Sequence, residues 1–202
     1  MAMYSLPLFP LNVVVCPGGL LPLRIFEARY IDMVKNCMRN SSNFGLVALL
    51  PEGETDAEGN LSYAAVGTSF RIVEADVTTV GLMMIGCEGQ NRFRVESVTQ
   101  QKDGLIIGQV EDIPNDTSMQ IPADLAPVRA AFEKLIATFP AEGILEDQIP
   151  IKKPYQFEDC GWVANRWLEL LNMPIMQKQR LLEEPSPLLR LELIQDLLNL
   201  QD

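Results

Sequence analysis

The spacing of apolar residues changes near the middle of the chain. Up to about residue 113, apolar residues form short unbroken runs or alternate with polar ones, as in RFRVE at 92–96, and both patterns are typical of β-strands. Beyond Asp124 they recur every three to four residues, which is typical of amphipathic helices. The stretch IPNDTSMQIP between them has two prolines and no periodicity, which predicts a linker. We therefore predict an α+β chain with a β-rich domain over 1–116 and a helical bundle over 122–202.

The first forty residues predict a strand–turn–strand–helix unit. Prolines 7, 10, 17 and 22 exclude one long helix and confine strands to short or edge pieces. Pro17-Gly18-Gly19 predicts a sharp turn. After it, the apolar residues adopt helical spacing and form one face, which consists of Phe26, Tyr30, Met33, Val34 and Cys37.

The rest of the first domain predicts a small, strongly bent sheet or partly closed barrel. FGLVALL at 44–50 has the length of a buried strand, and 51–60 is an acidic loop. Two longer extended segments follow, joined near Thr78-Thr79, and Lys102-Asp103-Gly104 predicts a hairpin turn before a last strand. We expect Gly67, Gly86 and Gly89 to serve bulges that curve the sheet.

The second domain predicts a series of antiparallel helices. Asp124 is the predicted cap of a helix that ends near Phe139, and Asp159 that of the next helix. The latter carries an apolar stripe made of Cys160, Val163, Ala164, Trp167 and Leu171. Pro174 and the pair Ser186-Pro187 predict the starts of two more helices.

The composition of the chain argues against several types of catalytic and binding site. The chain has no histidine, which excludes Ser-His and Cys-His catalytic pairs and His-ligated metals. Its four cysteines lie far apart, without a CxxC pair, so we expect reduced thiols in a cytoplasmic protein and no metal or other cofactor. The net charge is −11, which argues against a nucleic-acid partner. No apolar run has the length of a membrane span, and no GxxxxGK[ST] motif is present.

The stretch LPLFPLNVVVCPGGLLPLRIFEARY at 6–30 resembles the opening signature of the N-terminal, substrate-recognising domain of Lon-type ATP-dependent proteases. In that family the Cys16 position is usually Phe, the Arg24 position His, and the Ala28 position Pro. The segments VGTSFRI at 66–72 and EGQNRFRV at 88–95 are similar to two strands of the same family, and KQRLLEE and RLELIQDLL to its helical end.

The resemblance implies a PUA-like pseudo-barrel and a module that binds exposed apolar or unfolded polypeptide, with a protease or chaperone as a further partner. It implies no enzymatic activity, because the chemistry of Lon proteases lies in other domains. Two alternatives stay open at this point. They are an RNA-binding PUA-like protein, against which the charge speaks, and a small hydrolase, against which the missing nucleophile motifs speak.

The predicted binding or motif surface comes from the signature stretch and consists of Phe9, Pro10, Leu23, Arg24, Phe26, Glu27, Arg29 and Tyr30. We expect Phe26 to be buried on the helix stripe, so that Phe26→Ala costs about 3–5 kcal/mol. Arg24 is expected to be exposed or paired with Glu27, because an unpaired buried charge is costly. Glu27 and Arg29 are expected to form an ion pair.

Overall fold

The computed structural model describes residues 2–50, 62–79, 81–145 and 148–199. The contacts divide the chain into two units, Met1–Asn115 and Asp116–Asp202. The division into domains over 1–116 and 122–202 stays a prediction. The acidic loop predicted at 51–60 lies outside the described residues.

The described residues of the first unit form six strands and one helix. The strands are β1 (Tyr4–Leu11), β2 (Leu20–Ile25), β3 (Phe44–Leu49), β4 (Tyr63–Thr79), β5 (Leu82–Gln100) and β6 (Ile106–Asp112), and helix α1 spans Ala28–Asn40. The sheet order is β2-β5-β4-β3-β1-β6, and β5 also pairs with β6. This last pairing closes five strands into a barrel and leaves β2 at an edge. The α+β class and the partly closed barrel are confirmed.

Two prolines lie in β1, although β1 has a neighbour on each side. Its first half pairs antiparallel with β6, from Tyr4 to Leu8, and its second half pairs parallel with β3, from Leu8 to Leu11. Pro7 therefore faces only β6, and Pro10 faces only β3. A residue without an N–H costs no ladder hydrogen bond where one side of the strand is unpaired. The staggered pairing explains how β1 accommodates both prolines.

The predicted turns are present, and the glycines have more than one role. Gly18 has a φ of 77° in the turn before β2, and Gly104 has a φ of 86° in the hairpin between β5 and β6. The β4–β5 pairing shifts register next to Gly86 and Gly89, which confirms bulges there. Gly67 lies next to a register shift in the β3–β4 pairing, and a Cβ on it would also lie 2.2 Å from the carbonyl oxygen of Leu46. At this position a close backbone approach requires the glycine.

Helix α1 closes over the barrel with one face, as predicted, except for Phe26. Tyr30, Met33, Val34 and Cys37 are buried and join an apolar cluster in the core of the barrel. Phe26 is 69% exposed. The helix begins only at Ala28, after an extended N-cap residue Glu27, so helical spacing does not reach back to Phe26. The prediction that Phe26 is buried is wrong.

The second unit is helical, with α2 (Ala126–Ala141), α3 (Cys160–Leu170), α4 (Ile175–Glu183) and α5 (Pro187–Asn199). The Asp159 carboxylate accepts a hydrogen bond from the backbone N–H of Trp162 at 2.8 Å, which confirms this cap. Ser186 likewise accepts from Leu189 N–H at the start of α5. Asp124 instead lies in a short 3-10 turn, and α2 begins after Leu125 with no side-chain cap. The prediction of Asp124 as a cap is wrong.

Aromatic rings fill the core of the helical unit. Phe132 lies 5.2 Å from Trp167 and 5.9 Å from Trp162, between ring centroids, in edge-on arrangements. The indole N–H of Trp167 donates to the carbonyl of Val128 at 3.1 Å. The whole predicted stripe of α3 is buried. In the part of the chain that the structure describes, no helix combines the length and apolarity of a membrane span.

Candidate functional site

A cavity lies in the first unit, at the end of the barrel where β1 and β3 finish and β4 and β6 begin. Its volume is about 680 Å³. Five of the eight residues predicted as the binding surface line it, and these are Phe9, Pro10, Glu27, Arg29 and Tyr30. We call this cavity the barrel-end pocket.

An aromatic stack forms one wall of the barrel-end pocket. The rings of Phe9 and Tyr30 stack with centroids 4.0 Å apart, and Phe9 also contacts Phe44 in the core, with centroids 6.4 Å apart. Burial raises the pKa of Tyr30 above its ordinary value, with the nearby Glu27 carboxylate acting in the same direction and Arg29 in the opposite one. The Tyr30 hydroxyl is therefore neutral at physiological pH.

A neutralised ion pair lies beside the stack. Arg29 Nη2 lies 2.7 Å from Glu27 Oε2, which confirms the predicted pair. The Arg29 guanidinium also lies 4.8 Å from the centre of the Tyr30 ring and donates to the carbonyl of Gly104 at 3.1 Å. These contacts tie the start of α1 to the β5–β6 hairpin. The pair offers little net charge to a ligand.

Apart from Leu11, which follows Pro10 in β1, the remaining wall comes from distant parts of the sequence. It consists of Leu11, Leu49, Ser62, Tyr63, Val98, Thr99, Gln100, Gly104 and Ile106. Val98 is 45% exposed, so its side chain is accessible from the cavity. Sequence reasoning missed all of these residues. Leu11 lies in the signature stretch itself, whereas the others belong to segments that the β3–β4 and β5–β6 pairings bring to the pocket, and no local pattern encodes those pairings.

Three predicted site residues lie away from the barrel-end pocket. Leu23 and Arg24 are in β2, and Phe26 follows that strand. Arg24 is exposed, in agreement with one of its two expected states, and Glu27 pairs with Arg29 instead of with Arg24. The role of all eight residues in binding stays a prediction.

Because Phe26 is exposed, its truncation should have only a small effect on stability. Since the side chain leaves no cavity behind, Phe26→Ala should change the free energy of unfolding by less than about 0.5 kcal/mol. Urea denaturation of the variant beside the unchanged protein measures this. A loss near 3 kcal/mol would show that Phe26 is packed in solution.

The cysteines lack the character of nucleophiles. All four are buried and unbridged. Burial raises the pKa of Cys37, and it raises the pKa of Cys87 to about 12, with Cys37 nearby adding to the effect. A thiol with a raised pKa stays protonated and unreactive at neutral pH. Among the described residues, no group of three or more Cys, Asp or Glu side chains has an arrangement that could hold a metal ion.

Known proteins share this architecture over nearly the whole chain. The family model of the ATP-dependent protease La (LON) substrate-binding domain matches residues 5–200. The structure is similar to a Lon N-terminal domain protein from Xanthomonas campestris, with a TM-score of 0.77 and 30% identity over 96% of this chain and 98% of that one. The N-terminal domain of the Mycobacterium avium complex Lon protease shares the fold, with a TM-score of 0.64 at 18% identity, over 96% and 97% of the two chains.

Relatives known from sequence are longer proteins. The chain is 26% identical to Lon protease 2 of Myxococcus xanthus over 96% of its own length, but over only 23% of that protein. It is 28% identical to the protein cereblon of Danio rerio over 54% of its length and 26% of that protein. The match is confined to the substrate-binding part of the Lon relatives. The chain belongs to the Lon substrate-binding domain family.

Proposed function

We propose that the first unit binds exposed apolar segments of extended or unfolded polypeptides in the barrel-end pocket, and that it does so without catalysis. The observation that carries the proposal is the pocket itself, a cavity of about 680 Å³ with a stacked Phe9–Tyr30 wall in a member of a substrate-binding family. Concave, mostly apolar cavities with few polar groups are the usual form of binding sites.

The energetics favour weak and unspecific binding. An apolar side chain that enters the pocket gains about 25 cal/mol per Å² of area removed from water. Losses of translational freedom and of chain flexibility offset much of this gain. We therefore expect dissociation constants on the order of micromolar to millimolar for short peptides. Such affinities suit a module that samples many polypeptides.

The charge of the pocket argues against the RNA alternative. Its cation, Arg29, is already paired with Glu27 at 2.7 Å, and the chain has a net charge of −11. Binding of phosphate backbones draws on several accessible Lys and Arg side chains. The pocket supplies an apolar surface instead of such a cluster.

The partner of this module is proposed from the same family membership. Because the chain belongs to a family of protease substrate-binding domains, we propose that bound polypeptides are passed to a protease or chaperone. The four buried, unbridged cysteines support a location in the reducing cytoplasm.

The variant Val98→Asp should weaken binding of an unfolded polypeptide about tenfold, equivalent to about 1.4 kcal/mol. Val98 lines the pocket, and a bound apolar segment would strip water from the new carboxylate, which is costly without a partner. Val98 is 45% exposed in the unliganded chain, so the substitution should leave the barrel folded. Fluorescence anisotropy with a labelled, reduced and alkylated model protein measures the affinity.

The matched control is Met38→Asp. Met38 is 50% exposed, lies on α1 of the same unit and does not line the pocket. The Met38→Asp substitution adds the same charge to the chain as Val98→Asp but lies outside the proposed site. Equal affinities of the two variants would overturn the pocket as the binding site.

A further inference from the structure

Strand β2 is an edge strand. It pairs with β5 and with no other strand in the described parts of the chain. Gly89 N–H donates to the carbonyl of Gly19 at 2.9 Å, just before β2 begins. The backbone N–H and C=O groups of successive residues in a strand point to opposite sides. Since the Gly19 carbonyl points to β5, the N–H and C=O groups of the odd-numbered residues of β2 also point to β5. The corresponding backbone groups of Leu20, Pro22 and Arg24 point away from the sheet.

The position of Pro22 agrees with this assignment. A proline on the outward side of an edge strand sacrifices no ladder hydrogen bond, whereas on the inward side it would break the pairing with Gly86. The outward side therefore offers three carbonyls and the N–H groups of Leu20 and Arg24. An extended backbone is the ligand that satisfies such an array.

The outer face next to this edge combines apolar surface with one cation. Arg24 lies opposite Met84 of β5, and both are exposed, Met84 to 39%. Phe26, just beyond the strand, is 69% exposed. We call Pro22, Arg24, Phe26 and Met84 the β2 edge surface. The nearest acidic side chain in the Arg24 row is Asp76, which lies opposite Met84 on the next strand, about 10 Å from β2 at the usual strand spacing.

We propose that an extended polypeptide segment adds to β2 as a further strand, with a carboxylate of the segment opposite Arg24 and an apolar side chain beside Phe26. The inference rests on the proposed function and specifies the chemistry of the segment that is bound. Directly opposed side chains of antiparallel strands are close enough for an ion pair, and like charges there are destabilising. Arg24 thus selects an acidic residue at one position, while the apolar neighbours accept many sequences.

A charge exchange tests the side-chain part of the proposal. Octapeptides of β-forming residues that differ only in one central Asp or Lys are titrated against the full chain at physiological salt. We expect the unchanged chain to bind the Asp peptide about two- to fivefold more tightly than the Lys peptide, and Arg24→Glu to reverse this order. Arg39→Glu is the control, since Arg39 is exposed on α1 and the change alters net charge equally.

Backbone methylation tests strand addition. An N-methyl group on amides of the peptide that face β2 should abolish binding, and the same group on the alternate amides should leave the affinity within about twofold, because only every second residue pairs with a given neighbour. If all positions tolerate methylation, or if Arg24→Glu and Arg39→Glu shift the Asp/Lys preference equally, the proposal is wrong.

The outcomes separate this inference from the proposed function. If Val98→Asp weakens binding while the Arg24 exchange does nothing, the barrel-end pocket stands and strand addition at β2 is overturned. If the Arg24 exchange reverses the preference and Val98→Asp has no effect, the site is at β2 instead of in the pocket. Failure of every polypeptide to bind would overturn both.

Discussion

Arg190→Ala should lower the free energy of unfolding of the helical unit by about 3–5 kcal/mol, because it breaks a buried ion pair from one side. The Arg190 side chain is 1% exposed. Its guanidinium donates to both carboxylate oxygens of Asp116, at 2.7 and 3.3 Å, and to Asn165 Oδ1 at 2.8 Å. It also donates to the carbonyls of Leu181 and Glu184, at 3.0 and 2.6 Å.

The geometry explains the size of the expected loss. The Arg190 guanidinium in α5 is hydrogen-bonded to α3, to the end of α4 and to Asp116, the first residue of the helical unit. Truncation removes the counter-charge of an Asp116 side chain that is only 15% exposed, and a buried charge without its partner is costly. The cost is therefore much larger than that of an exposed ion pair.

Tryptophan fluorescence during urea denaturation measures this loss selectively. Both tryptophans, Trp162 and Trp167, lie in α3, so the signal reports on the helical unit. The control is Arg180→Ala, since Arg180 is exposed on α4, and it should cost less than about 0.5 kcal/mol. Equal stabilities of the two variants would show that the Arg190 network does not hold the helices.

Gly67→Ala should destabilise the barrel by about 3 kcal/mol, at the upper end of what overpacking usually costs. The added Cβ would lie 2.2 Å from the carbonyl oxygen of Leu46 and 2.7 Å from the ring of Phe93. Gly67 pairs with Val47 of β3 and with Phe93 of β5. The backbone oxygen can retreat only if the β3–β4 ladder shifts, so the clash has no inexpensive relief.

Gly86→Ala is the matched control for Gly67→Ala. Gly86 lies in the same sheet, and an added Cβ there would come no closer than 3.5 Å to its nearest neighbour, Glu74. We expect a neutral effect or a small gain, since alanine reduces the conformational freedom of the unfolded chain. Amide hydrogen exchange of β3 and β4 reports on the barrel, which has no tryptophan. Comparable exchange rates in the two variants would contradict the close approach at Gly67.

Local signals in the sequence predicted most of the elements but not all of their limits. The spacing of Met33, Val34 and Cys37 correctly gave the buried face of α1. Phe26 fits the same spacing but lies before the helix, whose N-cap residue Glu27 makes no side-chain capping hydrogen bond. Glu27 is also not one of the residue types that usually mark a helix start in a sequence. The prediction for Asp124 is wrong because a 3-10 turn contains this residue, and the α-helix begins only after that turn.

The barrel-end pocket shows where sequence reasoning stops. Phe9, Glu27, Arg29 and Tyr30 were predicted because one continuous stretch carries them. Val98 reaches the same cavity only because β5 is long enough to pair with both β4 and β6. The register of such distant pairings depends on the packing of the whole sheet, which no short motif records.

The most direct test of the central claim is a titration of the full chain with an unfolded model protein, with the folded form of that protein and with a single-stranded RNA, each at low and high salt. We expect saturable binding of the unfolded form alone, in the micromolar to millimolar range, with little dependence on salt because apolar contacts dominate. Binding of the RNA with a steep salt dependence, together with no binding of the unfolded protein, would contradict the account.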